Sequence, residues 1–109
     1  MSISAVILEP QNDFEKSFFV PIATESFFKD CWEPAVEVLD LRWIDLFSTG
    51  VDIEGEDVPM IIEELLLVKE WAVKNLEDEQ RDRIVERIDG LREKLPLAFQ
   101  RQDAIVFIG

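Results

Sequence analysis

Two β-branched runs, residues 3–8 and residues 104–108, constrain the fold more than anything between them. Each has the length and composition of a strand, and the first is closed by Glu9-Pro10. A strand must find partners for its N–H and C=O groups. The two runs are therefore expected side by side in one small sheet, with about three helices packed on it. The intervening order reads as helix, hairpin, helix, helix. That is an α+β class, loosely α/β, in a single domain spanning residues 1–109.

The intervening segments carry their own signals. Residues 9–17 are polar and read as a loop, and residues 18–22 as a short extended piece that Pro21 confines to an edge or a turn. Thr24 is placed to cap a helix in which Phe28, Cys31, Trp32, Ala35, Val36 and Leu39 fall at helical spacing. Pro34 should kink or split that helix. Residues 41–47 alternate large apolar residues on each face and read as a strand. After Ser48-Thr49-Gly50, residues 51–53 can pair back on it as a central hairpin. Asp57 is positioned to cap the strongest helix, with Pro59 in its first turn, running to about Leu76. Asp78 is expected to cap the next, from Glu79 to about Leu95, where Pro96 ends it. Its apolar stripe is Ile84, Ile88, Leu91 and Leu95, and Glu77/Arg81 and Glu79/Arg83 are spaced as i,i+4 pairs.

Charge narrows the partners. The chain has 24 acids against 11 bases, a formal charge of -13. DNA and RNA demand Lys and Arg against phosphate, so nucleic acid is an unfit partner. An anionic membrane surface is unfit for the same reason. A basic protein, drawn in by steered encounter, fits. The first eight residues lack the positive charge and length of a signal peptide, and no apolar run approaches the ~20 residues of a membrane span. With Cys31 as the single cysteine no internal disulfide can form, and a cytoplasmic location is expected.

Catalysis is not expected. Histidine is absent, and with it the commonest general base, nucleophile partner and transition-metal ligand. Cys31 stands beside Asp30 near the acid Glu33, on the apolar side of its helix, which reads as a structural thiol. A calcium-binding loop starting at Asp45 would place Gly50 sixth and Glu56 twelfth, but it puts Phe47 where an oxygen ligand belongs. The four glycines, at 50, 55, 90 and 109, draw no phosphate-binding loop. No cofactor and no metal are expected. A carboxylate-only, metal-dependent enzyme is the remaining and less favoured catalytic alternative.

The segment most suggestive of function is the helix predicted over residues 58–76. At about 100° per residue, Ile61, Ile62, Leu65, Leu66, Val68, Ala72, Val73 and Leu76 form a wide core arc. On the opposite side Glu63, Glu70 and Lys74 hold one edge and Glu64 and Asn75 the other. Met60, Leu67 and Trp71 lie between them. An apolar stripe in an acidic frame has the anatomy of an interface. The acidic loop Asp52, Glu54, Glu56 and Asp57 leads into this helix and is expected to extend the surface. Two other readings stay open: another element of the chain covers the stripe, or a second copy does so in a homodimer. Trp32 and Trp43 are expected in the core.

The chain resembles the small acidic immunity proteins of bacterial polymorphic and contact-dependent toxin systems. The likeness rests on size, acidity and lack of catalytic residues. It also rests on Trp43-Ile44-Asp45-Leu46-Phe47 through Gly50, Asp57-Val58, and Glu63-Glu64-Leu65 up to Trp71, roughly residues 41–76. The resemblance implies a non-catalytic inhibitor that binds and occludes a cognate toxin domain in the cytoplasm. It carries over no individual site residue.

Overall fold

The computed structural model describes residues 2–109. Four strands, β1 (Ser2–Ile7), β2 (Phe19–Thr24), β3 (Val51–Ile53) and β4 (Val106–Ile108), form one antiparallel sheet in the order β2-β1-β4-β3. As expected, the two outer runs of the sequence are neighbours, with Ala5 opposite Ile108, Val6 opposite Phe107 and Ile7 opposite Val106. Alternate residues point to opposite faces. Ile3, Ala5, Ile7, Val20, Ile22, Ile53, Val106 and Ile108 are buried on one of them. Two long helices supply much of the rest of the core, α4 (Val58–Asn75) through Ile61, Leu65, Val68 and Ala72 and α5 (Asp78–Lys94) through Ile84, Ile88 and Leu91, and Phe28, Trp32, Ile44 and Phe47 join them there. On the sheet's outer face Phe19, Val6, Phe107 and Asp52 stand in a row across all four strands. Pro21 lies on edge strand β2, where its missing N–H costs no ladder bond.

The central hairpin is corrected by the structure. Residues 41–47 are not a strand: Ile44–Ser48 form a 3-10 helix, and β3 pairs with β4 instead. The physical reason is the spacing of the large apolar residues. Leu41, Ile44 and Phe47, three apart, are all buried, which is the eclipsed period of a 3-10 turn rather than a strand's alternation. One carboxylate fixes the start of this turn. Glu64 of α4 accepts the backbone N–H groups of Arg42 (3.3 Å), Trp43 (3.1 Å) and Ile44 (3.0 Å). Gly50 then turns the chain at φ +103, a conformation L side chains resist, with the Phe107 ring packed close over it.

Several local expectations are refined. The loop over residues 9–17 contains a short helix, α1 (Asp13–Ser17), whose Asn12 cap accepts the Glu15 N–H at 2.8 Å. Thr24 does cap its helix, accepting the Phe27 N–H at 3.1 Å. Between α2 (Glu25–Phe27) and α3 (Glu33–Leu39) the chain makes a π turn over Phe28–Trp32. Its Glu33 N–H reaches the Phe28 carbonyl, five residues back. That wider turn carries the chain past the four-residue bond that Pro34 can neither make nor clear sterically. Asp57 occupies the cap position of α4 as expected but makes no side-chain cap bond to it; its carboxylate instead accepts the Glu54 N–H at 3.0 Å and closes a capping box on the turn Gly55–Asp57. Asp78 is not a cap: it takes φ +47 inside the first turn of α5, and Glu77 occupies the cap position. The expected i,i+4 pairs do not close. Arg81 pairs with Asp82, and Arg83 lies over the Phe27 ring.

Glu15 is the one buried charged residue among those described. Arg101 meets it with two parallel hydrogen bonds, 2.7 and 2.9 Å, and the Gln11 N–H adds a third at 2.9 Å. The arginine, with the Gln11 N–H, holds the Glu15 carboxyl below the usual carboxylate range. The pair ties α1 to the segment leading into β4 across 86 residues of chain. Isolated charges do not mark a long-range pair in a single sequence, so nothing in the local pattern points to it.

Candidate functional site

The stripe on α4 is open to solvent along most of its length. Met60 and Leu67 are 49% and 39% exposed, while Trp71 is half-buried against the core. Helix geometry explains the split. Ile61, Leu65, Val68 and Ala72 are buried in the core. Lys69 turns toward α5 and bonds Asp89 at 2.8 Å, and Glu64 turns the other way, toward the loop after α3. The stripe lies on the Glu64 side, between that loop and the solvent crest. The expected core arc is too wide: Leu66 and Val73 are 39% and 55% exposed, outside the buried face of the helix.

That loop converts the stripe into one wall of a groove. Leu39, Leu41, Trp43 and Leu46 face Met60 and Leu67 across a hollow of 620 Å³. Its polar residues are Asp40, Glu63, Glu64 and Arg42. Such a volume lies within the roughly 300–1,000 Å³ of sites that bury a ligand rather than a single atom group. Trp43, expected in the core, is half-buried and belongs to this wall; Leu46 is exposed beside it. The misread strand concealed both, because the alternation put them on two opposite faces. Glu63 and Glu70 are exposed, and neither closes an ion pair among the described residues. Glu64 has a different task from the one expected. Its carboxylate is occupied by the loop's backbone N–H groups, so it shapes the groove rather than offering a free charge.

The acidic loop does not join this surface as a continuous rim. Asp52 stands on the outer face of the sheet, opposite Phe107. Glu54 and Glu56 line a separate hollow with Phe99, Arg101 and Asp103. Asp57 is turned back on Glu54 by the capping box. The neighbouring Glu56 carboxylate, with Asp57 close by, pushes the Glu54 carboxyl above its ordinary value. The ten expected site residues thus divide. Met60, Leu67, Glu63 and Glu64 meet at the groove, Glu70 and Trp71 lie farther along α4, and none of the four loop acids lines the groove.

The stretch of chain that supplies the groove is strongly acidic, although Asp52, Glu54, Glu56 and Asp57 within it lie outside the groove lining. Residues 30–70 carry twelve acids and two bases, Arg42 and Lys69. They supply most of the chain's net charge of -13. Cys31 lies inside this stretch but is fully buried, and burial, with Asp30 nearby, pushes its thiol pKa up. Among the described residues no helix is long and apolar enough to cross a membrane. Comparison with family models, with curated proteins and with solved structures finds no match to this chain.

Proposed function

We propose that this chain is a non-catalytic protein-binding domain, an immunity-type inhibitor that occludes a basic toxin domain in the cytoplasm. The observation that carries the reading is the groove: exposed Met60 and Leu67 facing Trp43 and Leu46, within the most acidic stretch of the chain. Burying apolar surface contributes roughly 25 cal/mol per Å². The surrounding carboxylates raise the encounter rate with a cationic surface and repel acidic competitors. Inhibition then needs only that the partner's active face be covered.

The test is affinity capture from source cells, with the wild type beside a Leu67→Arg/Glu63→Lys variant. Both positions are exposed, so the variant should keep its fold, which circular dichroism checks. Wild type should retain a basic enzyme domain, inhibit it at one-to-one stoichiometry, and lose both properties in the variant. A captured domain that stays fully active, or that binds both proteins equally, would sink the reading. Retention of only an untagged copy of the chain favours a homodimeric module. The feature that would then serve is the outer sheet face, where exposed Phe19 stands beside Val6 and Phe107.

A further inference from the structure

We infer that the groove between α4 and residues 39–46 takes an arginine-bearing apolar segment of the partner, with the guanidinium drawn to Asp40 and Glu63. The inference rests on reading this face as a partner surface and narrows it to one ligand chemistry.

Three features of the groove point the same way. Its walls are apolar, built from leucines, Met60 and Trp43, and they suit aliphatic stems and neighbouring leucine-like side chains. Its free anions are Asp40 and Glu63. Neither closes an ion pair among the described residues, whereas Glu64 is consumed by backbone N–H groups. Asp40 is also held in place, at φ 53 in the left-handed turn that closes α3, so its carboxylate is presented from a defined backbone. The aromatic wall adds a third preference. A planar guanidinium pairs with carboxylates bidentately and is attracted to an indole, which an ammonium does less well. A groove of 620 Å³ holds more than one side chain, so the occupant is a short segment and not a lone arginine.

Arg42 gives the inference its sharpest check. It is the single base lining the groove and closes no ion pair among the described residues. For a cationic occupant Arg42 is a repulsive neighbour. For an acidic occupant it would be the anchor.

The experiment uses the full chain and a short labelled, amidated peptide in which arginine alternates with leucine, read by fluorescence anisotropy. A second peptide carries citrulline, neutral and nearly isosteric, in place of each arginine. The arginine peptide should bind at least about tenfold more tightly than its citrulline counterpart, since charge-assisted hydrogen bonds are roughly twice as strong as neutral ones. Asp40→Asn, Glu63→Gln and Leu67→Ala should each weaken it severalfold, and Arg42→Gln should tighten it. Glu86→Gln, on the exposed side of α5, should leave it unchanged. Equal binding of the two peptides, or weaker binding by Arg42→Gln, overturns the inference. So does a loss in Glu86→Gln as large as in Asp40→Asn, because attraction would then be diffuse. Any of these results beside a partner still captured through Leu67 and Glu63 would refute the arginine chemistry and leave the binding surface standing.

Discussion

At Glu15 a single side chain joins parts of the molecule that the sequence keeps apart. Its carboxylate is buried, and its partner Arg101 reaches it from just before β4. A buried carboxylate left without its cation is among the costliest local defects. Because Arg101 and the Gln11 N–H lower the folded-state pKa of Glu15, the stability it contributes is present at neutral pH. That stability is lost as pH falls from the unfolded value through the lowered folded one. Arg101→Met should therefore lower the urea midpoint at pH 7 by much more than at pH 3, so the two proteins converge in acid. Chemical denaturation from pH 3 to pH 7 measures this. A constant gap between wild type and variant across that range would show that the arginine stabilises by packing alone. A similar economy operates at Glu64, which satisfies three backbone donors and thereby places Trp43 and Leu46 against α4.

Among the elements, the 3-10 turn at Ile44–Ser48 separates what pattern reading can and cannot see. Ile44 is fully buried and Leu46 exposed, so Ile44→Ala should cost about 2–5 kcal/mol and Leu46→Ala under about 1 kcal/mol. Equilibrium unfolding checks the pair; equal costs would return residues 41–47 to a two-sided buried strand. The long helices were legible because the 3.6-residue period repeats over several turns in α4 and α5. The strands of β1 and β4 were legible from β-branched runs, and their pairing from the need to satisfy both. Residues 41–47 were not. Seven residues hold barely two periods, and large apolar side chains at 41, 43, 44, 46 and 47 fit a strand and a tight helix alike. What decides between them is Glu64, some 20 residues away in the chain. The same limit applied to the site. The stripe of Met60 and Leu67 lies within one helix and could be read from it. The opposite wall comes from a different segment and could not. The acidic loop was placed on the α4 surface by adjacency in sequence, and the Glu54–Asp57 capping box turns part of it aside.

Over the whole molecule, one charge imbalance should have opposite consequences for stability and for association. The fold measures 40 × 23 × 22 Å and carries a net charge of -13, with twelve acids and two bases in residues 30–70. The Debye length is about 10 Å at 0.1 M salt and 30 Å at 0.01 M. At low salt, then, carboxylates repel one another across most of the fold, and at moderate salt only near neighbours do. Few compensating ion pairs exist around the groove, since the described salt bridges join α4 to α5, neighbours on α5, and Arg101 to Glu15 and Asp103. Raising NaCl from about 20 mM to about 300 mM should therefore raise the thermal midpoint by a few degrees, by screening self-repulsion in the compact state. The same change should slow association with a basic partner by about tenfold or more, because the steering field is screened as well. Dissociation should move far less if, as proposed, Met60, Leu67 and Trp43 make the apolar contacts that hold the complex. Thermal scans and stopped-flow binding over one salt series measure both halves. A midpoint that falls with salt would mean that pairing inside the fold outweighs repulsion. An association rate indifferent to salt would mean that the partner meets the groove without using its charge.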